Sequence, residues 1–164
     1  MSQSPSPRPP LPANTIDPGN RDLFRHIHHY KLRYGDIDRQ DHVNNVAFAT
    51  FFEEGRINFL TDEITPYLGP EDLYALVTIT IDYKHEILYP GEVEIGTALV
   101  GIGRSSMHFV QSVFNAGHCA AQASSTVVLM SAVTRKSAPL PDPVRRHLEG
   151  LVGPRPEGCP LIES

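Results

Sequence analysis

No long apolar run occurs in this 164-residue sequence, and its N-terminal stretch lacks the apolar core of a secretory signal peptide. A membrane-spanning helix needs about 20 mainly apolar residues in succession, so none is predicted. A single arginine, Arg8, in residues 1–20 makes a mitochondrial presequence a poor match. We therefore expect a soluble, cytoplasmic protein with no membrane partner.

Cysteine and positive charge are also scarce. Cys119 and Cys159 are the only two cysteines, and no spacing typical of a zinc site occurs. His26 and His28 share a strand face but have no cysteine or carboxylate at ligand spacing, so no metal is predicted. Fourteen Lys and Arg against nineteen Asp and Glu give a net charge of −5, which argues against nucleic acid as a partner.

The distribution of proline divides the chain. Proline and small polar residues dominate residues 1–20, which predicts a disordered arm. One folded domain is expected over residues 21–137. Residues 138–164 should hold a short helix, capped by Asp142 with Pro143 at its first position, and then a loose tail.

The hydrophobic pattern of the domain predicts a strand, a long helix and four further strands. The first strand covers residues 25–34. The helix begins at Asn44 or Asn45, whose side chains can cap its first turn, and ends near Leu60. Runs rich in β-branched residues, separated by short turns, predict an antiparallel meander of four strands. These strands cover residues 73–88, 92–102, 106–115 and 118–133.

The predicted helix has no strongly charged face. One side carries Phe48, Phe52, Gly55 and Phe59, and the other carries Val46, Thr50, Glu53 and Ile57. A surface helix would have one apolar stripe and one charged face. We therefore expect an α+β fold in which a curved antiparallel sheet wraps around the helix and buries both of its faces.

A cluster of acidic, His and Asn residues lies where the first strand leads into this helix. Its pattern is R-x-x-D-x-D-x-x-x-H-V-N-N, formed by Arg33, Asp36, Asp38, His42, Val43, Asn44 and Asn45. With the downstream stretches IDYKHEILYPGEVEIG and GIGRSSMHF, the chain resembles the hotdog acyl-CoA thioesterases of the 4-hydroxybenzoyl-CoA thioesterase-like family. The resemblance covers roughly residues 25–135 and implies the hotdog fold.

The resemblance also implies a reaction, the hydrolysis of an acyl-CoA to a free acid and CoA. The only cofactor-like group involved is the coenzyme A of the substrate. Asp38 would attack the thioester or activate water, and backbone N–H groups around Asn44 and Asn45 would polarise the carbonyl. His42 would orient Asp38 or the water, or protonate the departing thiolate. The side chain of Asn45 would position the substrate or act only as a helix cap.

Further residues follow from the same resemblance. Arg104, Ser105 and Ser106, in the stretch GRSS, would contact pantetheine or phosphate. Because some hotdog thioesterases place their carboxylate on the central helix, Glu54, or its neighbour Glu53, is an alternative catalytic residue. Asp82 is a second alternative, since it resembles an acidic position of the plant acyl carrier protein thioesterases.

A structural interpretation is favoured for Asp36 and for the acids of the helix. Asp36 is expected to pair with Arg33. Glu53 and Arg56 have the three-residue spacing of an ordinary ion pair on a helix surface.

One departure from the family pattern is Asp41, which stands where many relatives have Gly before the His. The plant acyl carrier protein thioesterases carry a polar residue there. Asp41 in place of Gly affects the expected backbone shape of the loop and, through it, the expected acyl preference. Two alternative functions stay open, namely an acyl carrier protein thioesterase and a non-catalytic protein that binds acyl-CoA. Because the family pairs its subunits edge to edge, a homodimer or homotetramer is expected.

Overall fold

The computed structural model describes residues 17–154, which form two α-helices and five strands. In chain order these are β1 (His26–Lys31), α1 (Asn45–Glu63), β2 (Asp72–Tyr83), β3 (Glu92–Ile102), β4 (Ser106–Asn115), β5 (His118–Ser131) and α2 (Asp142–Glu149). All the predicted elements are present, but β2 ends at Tyr83, so residues 84–88 belong to a connection and not to the predicted strand. Helix α1 continues three residues beyond the predicted end, and α2 begins at Asp142 with Pro141 as its N-cap.

The five strands form one antiparallel sheet in the order β1-β3-β4-β5-β2. The hairpins from β3 to β5 confirm part of the predicted meander. The meander also predicts that β2 pairs with β3. This prediction is wrong, because β2 pairs with β5 and forms the edge of the sheet opposite β1. The connection over residues 84–91 is too long for a tight hairpin. It crosses the end of the sheet, where the carbonyl of Ile87 accepts a hydrogen bond from the N–H of Val43.

Helix α1 lies across one face of this sheet, packed on β1, β3 and β4. Its aromatic residues enter two hydrophobic clusters, one around Phe48, Phe51 and Phe52 and the other around Phe59. This is the hotdog fold, with a curved antiparallel sheet against one long helix.

The prediction that both faces of α1 are buried is wrong for the single chain. Val46 is 73% exposed and Ile57 is 52% exposed. The reason is that the sheet approaches α1 from one side only, so the outward face stays in contact with solvent.

Helix α2 covers the second cluster. Val144 and Leu148 are fully buried beside Phe59 and Leu99. Nη2 of Arg145 donates to the carbonyl of Gly103 at 2.8 Å and fixes the helix to the β3–β4 turn.

Most of the predicted N-terminal arm and C-terminal tail, residues 1–16 and 155–164, lies outside the described residues. Within residues 17–20, the carbonyl of Pro18 accepts a 2.6 Å hydrogen bond from Ser112 on β4. Neither helix in the described part of the chain is long and apolar enough to cross a membrane.

Candidate active site

The acidic cluster forms a narrow hairpin that leads into helix α1. The N–H of Asn44 donates to the carbonyl of Asp36 at 2.8 Å, and the N–H of Asp38 donates to the carbonyl of His42 at 2.9 Å. Between these two bonds, Ile37 and Val43 form an antiparallel bridge. The hairpin therefore holds Asp38 and the start of α1 on adjacent backbone segments.

Asp36 anchors the base of this hairpin. Its side chain is 4% exposed and accepts hydrogen bonds from the backbone N–H of Arg33 (2.8 Å), the Arg33 guanidinium (2.9 Å) and the Tyr30 hydroxyl (3.3 Å). Burial pushes the pKa of the Asp36 carboxyl upward, but these bonds outweigh it and hold that pKa below its usual value. The predicted pairing of Asp36 with Arg33 is confirmed.

Asp38 lies near the tip of the hairpin, and one of its two carboxylate oxygens accepts hydrogen bonds. Oδ1 accepts from the N–H of Gln40 at 2.7 Å and from the N–H of His42 at 3.4 Å. No group of the described residues donates to Oδ2. Asp41 adopts a φ of 61°, a left-handed conformation that Asp tolerates better than most residues, so it takes the backbone shape for which Gly is suited. The loop thereby leaves one oxygen of Asp38 available to a water molecule or a substrate.

The start of α1 supplies one free donor. Asn44 is the N-cap, and its Oδ1 accepts from the N–H of Val46 at 3.0 Å. Because the N–H of Asn44 is already bonded to Asp36, it is unavailable to a substrate. The N–H of Asn45 has no partner among the described residues and lies at the positive end of the helix dipole. Of the two predicted donors, only Asn45 is therefore free.

His42 turns toward the neighbouring loop. Its Nε2 lies 3.4 Å from Oε2 of Glu86, and no hydrogen bond joins its ring to Asp38 within residues 17–154. Glu86 was not among the predicted site residues. It also lines a cavity of about 510 Å³ together with Lys84, His85 and His118. The orientation of Asp38 thus comes from backbone N–H groups.

Arg104, Ser105 and Ser106 lie at the opposite end of the sheet. They follow the last residue of β3, whereas Gly91, which precedes its first residue, bonds to Leu32 beside the hairpin. Strand β3 is 11 residues long, so the two ends are roughly 35 Å apart. A single chain therefore does not bring Asp38 and Arg104 together.

The two alternative carboxylates lie away from the hairpin tip. Glu54 is exposed on α1, where its charge contributes to the raised pKa values of Tyr30 and Arg33. On β2, Tyr83 contacts Phe48 on the helix side of the sheet. Since neighbouring strand residues point to opposite faces, Asp82 points away from α1.

A polar layer under the middle of α1 was missed. The predicted surface pair of Arg56 with Glu53 is wrong, because Arg56 is 5% exposed and its Nη1 donates to Oε1 of Gln111 at 3.0 Å. Nε2 of Gln111 donates in turn to the carbonyl of Phe52 and to Oγ1 of Thr97. The available signal was the single Gln within the apolar run of β4.

Glu63 links three elements near the end of α1. Its carboxylate oxygens lie 3.4 Å from Nε2 of His26 on β1 and 2.7 Å from Nε2 of His147 on α2. No group of three or more His, Cys, Asp or Glu side chains in the described chain is arranged to hold a metal ion.

Comparison with known proteins agrees with this architecture. A thioesterase from Thermus thermophilus, solved with coenzyme A and Zn, is 30% identical, with a TM-score of 0.68, and the match covers 76% of this chain and 98% of that one. The PA5185 protein of Pseudomonas aeruginosa is 23% identical, with a TM-score of 0.73, over 82% of this chain and 96% of that one. The DHNA-CoA thioesterase of Staphylococcus aureus is 20% identical, with a TM-score of 0.68, over 76% and 91%. These last two show the fold alone.

No curated protein sequence matches the chain significantly. The sequence profile of the thioesterase-like superfamily matches residues 32–148, which include the hairpin, α1 and the whole of the sheet from β2 to β5. The chain belongs to the thioesterase-like superfamily.

Proposed function

We propose that this protein is an acyl-CoA thioesterase that uses Asp38 to hydrolyse the thioester bond. The observation that carries the proposal is that one short hairpin leads from Asp38 to the start of α1 and leaves two groups without a partner among the described residues, namely Oδ2 of Asp38 and the N–H of Asn45. The coenzyme A bound by the Thermus thermophilus relative supports CoA as the carrier. The predicted alternative carriers and the non-catalytic role have no comparable support.

The N–H of Asn45 and the carboxylate of Asp38 match the two groups that thioester hydrolysis needs, a donor to the carbonyl oxygen and a base or nucleophile. The carbonyl oxygen of the substrate accepts a hydrogen bond from the N–H of Asn45, where the helix dipole stabilises the developing negative charge. Oδ2 of Asp38 takes a proton from the attacking water, or itself attacks the carbonyl carbon. In this proposal His42, which lies in the same hairpin with its ring near Glu86, protonates the departing thiolate.

In this proposal a second copy of the chain supplies the CoA-binding turn, which a single chain holds far from Asp38. Strand β2 is an edge strand on which Leu73, Leu76 and Val77 are 37%, 47% and 54% exposed. A twofold axis that pairs β2 with its copy in antiparallel fashion puts the Tyr83 end of one strand beside the Asp72 end of the other. The turn that contains Arg104 in the partner subunit then approaches the hairpin of this chain, so a CoA molecule can contact both.

The test of the catalytic proposal is Asp38→Asn. The amide keeps an oxygen that accepts from Gln40 and His42, so the loop is expected to fold and the melting temperature to stay unchanged. The turnover number with acyl-CoA should fall by about 10²–10⁴-fold, with KM nearly constant, because the variant loses the base but not the binding contacts. Release of free thiol, followed with a thiol reagent over a panel of acyl-CoAs, measures both.

Glu54→Gln is the matched control, since Glu54 is an exposed carboxylate on the helix that the hairpin leads into. We expect it to retain most of the activity. The assignment is wrong if Asp38→Asn keeps more than about a tenth of kcat while Glu54→Gln abolishes turnover.

A further inference from the structure

An open cavity of about 510 Å³ lies at the end of the sheet next to the hairpin. One of its walls is formed by Lys84, His85 and Glu86, which follow β2, and the other by the turn between β4 and β5 with His118. Pockets that bind small ligands have volumes of about 300–1,000 Å³. The cavity therefore has the size of a binding site for part of a substrate.

Backbone hydrogen bonds and a tight turn hold both walls in place. The N–H groups of Lys84 and His85 both donate to the carbonyl of Ala120 on β5, at 2.8 and 3.0 Å. On the other wall, residues 116–117 have φ values of 48° and 81°, which suit a two-residue hairpin turn. The centroids of the His85 and His118 rings consequently lie 6.2 Å apart. The side chains of the two walls thus converge on the same space.

Three basic side chains line this cavity without a carboxylate partner. Lys84, His85 and His118 are exposed, and none of them forms an ion pair within residues 17–154. A lysine has three N–H donors, and an imidazole keeps one N–H donor even when it is neutral. The acid in the lining, Glu86, has its Oε2 3.4 Å from Nε2 of His42. The cavity therefore offers an anion several donors and a positive charge.

The cavity lies beside the hairpin that carries the candidate site. The N–H of Val43 donates to the carbonyl of Ile87 at 2.8 Å, and Ile87 follows Glu86 of the cavity wall. Asn45 is two residues beyond Val43. With about 3.8 Å between consecutive Cα atoms, this path puts the backbone of Glu86 at most roughly 17 Å from the N–H of Asn45. A substrate that binds at Asn45 can therefore extend to the cavity.

We propose that this cavity binds a phosphate group of the substrate's CoA through Lys84, His85 and His118, in the same chain as Asp38. This inference rests on the proposed thioesterase function. About thirteen bonds separate the sulfur of CoA from its first phosphorus, and at roughly 1.2 Å per bond in an extended chain they span about 15 Å. A thioester bound at Asn45 can thus place its pyrophosphate at the cavity. Because CoA also carries a 3′-phosphate, a second phosphate remains for Arg104 of the partner subunit.

The experiment compares thioesters that share one acyl group and differ in the carrier, which is CoA, dephospho-CoA, 4′-phosphopantetheine or pantetheine. The double variant Lys84→Ala, His118→Ala removes the cation and one imidazole from exposed positions, so the chain is expected to fold. For acyl-CoA, kcat/KM should fall at least about tenfold with kcat nearly constant, because charge-assisted hydrogen bonds to the phosphate are lost. Acyl-pantetheine has no phosphate, so the double variant and wild type should hydrolyse it equally. The carrier at which the difference disappears identifies the phosphate group.

Lys31→Ala is the control, because it removes the same charge from an exposed lysine outside the cavity, at the end of β1. It should leave kcat/KM unchanged with every carrier. An equal loss with acyl-CoA and acyl-pantetheine in the double variant, or no loss with either, overturns the inference and leaves the thioesterase proposal standing. A loss in Lys31→Ala as large as that in the double variant also overturns it, since general charge then explains both.

Inorganic phosphate distinguishes a site for free phosphate from a site for the phosphate of CoA. Adenosine 3′,5′-bisphosphate should compete with acyl-CoA in wild type and at least about tenfold more weakly in the double variant. Inorganic phosphate at the same concentration should not compete. Equal competition by the two compounds overturns the assignment to CoA.

Absence of thiol release from every thioester overturns the thioesterase proposal instead. Calorimetric binding of CoA and of pantetheine then tests the cavity. CoA must bind to wild type at least about tenfold more tightly than to the double variant, and pantetheine must bind equally to both. Equal binding of CoA to the two proteins overturns the inference in that case as well.

Discussion

At the scale of single residues, Asp36 makes the stability of the hairpin depend on pH. Burial acts against its charged form, yet the bonds from Arg33 and Tyr30 hold the pKa of its carboxyl below the ordinary value. The unfolded chain therefore takes up the proton more readily than the folded chain. The stabilisation is complete above the ordinary carboxyl range, and it is lost as pH falls through the lowered pKa.

Asp36→Asn should consequently cost stability in a pH-dependent way. At neutral pH we expect the free energy of unfolding to fall by about 1.5–3 kcal/mol, the range for hydrogen bonds to a charged group. The gap between variant and wild type should shrink below about pH 4. Urea unfolding at several pH values measures it, with the exposed Asp22→Asn as control. A gap that is constant down to about pH 3 would contradict the assignment.

Local residue chemistry could be predicted from the sequence where the partner is close in the chain. Asp36 with Arg33, and Asn44 as the helix cap, depend on neighbours within a few positions. Arg56 could not be placed in this way. Its partner Gln111 lies on a strand 55 positions away, and only the packing of α1 on β4 decides that it turns inward.

At the scale of elements, Gly55 determines how closely α1 approaches the sheet. A Cβ atom built at Gly55 would lie 2.5 Å from Cγ2 of Ile95 and 3.0 Å from both Nε2 of Gln111 and Oγ1 of Thr97. The first contact is with a branched side chain packed in the core, and the other two are with the polar layer beneath the helix. The absence of a side chain therefore lets the helix backbone contact β3 and β4 directly.

Gly55→Ala tests this close approach through the sign of its effect. In an exposed helix, Gly→Ala stabilises by about 1 kcal/mol. Here overpacking should dominate and reduce the free energy of unfolding by about 1–3 kcal/mol. Gly35→Ala, where a Cβ would meet nothing within 4 Å, serves as the control and should be close to neutral. A stabilised Gly55→Ala in chemical unfolding would show that the helix has room to move away.

The elements themselves could be predicted because their signals are local. Residue periodicity and turn residues give the strands and helices within a few positions, and the predicted hairpins from β3 to β5 are observed. The position of β2 could not be predicted in this way. Its pairing with β5 follows from the path of residues 84–91, whose Ile87 bonds to Val43 of the hairpin instead of turning back at once.

At the scale of the whole molecule, the two groups of predicted site residues lie at opposite ends of the sheet within one subunit. Asp38 and Asn45 are at the N-terminal end of α1, and the Arg104 turn is beyond the far end of β3. The sequence motifs could predict both groups of residues but not the distance between them. A motif is a local pattern, and it does not indicate at which end of the folded sheet its residues lie. The proposed twofold arrangement resolves this separation by placing the two groups in different subunits.

That arrangement makes a prediction about mixtures of inactive variants. Asp38→Asn removes the base from both sites of a homodimer. Arg104→Glu reverses a charge that is exposed to solvent, so it should weaken CoA binding without unfolding the chain. In a mixed dimer, one site combines the intact Asp38 of one subunit with the intact Arg104 of the other. The second site carries both defects.

Mixing and reassociating the two variants should therefore restore activity that neither has alone. Random pairing makes half of the dimers mixed, each with one intact site of two, so about a quarter of the wild-type activity is expected. Light scattering on each sample verifies that dimers are present, and a mixture of Asp38→Asn with Asp38→Asn, Arg104→Glu double variants provides the blank. If the mixed sample shows only the average of the two parents, the Asp38 and Arg104 of a working site do not come from different subunits. A fully active monomer at micromolar concentration would contradict the shared site more directly, because β2 would then be an edge that no second copy needs to cover.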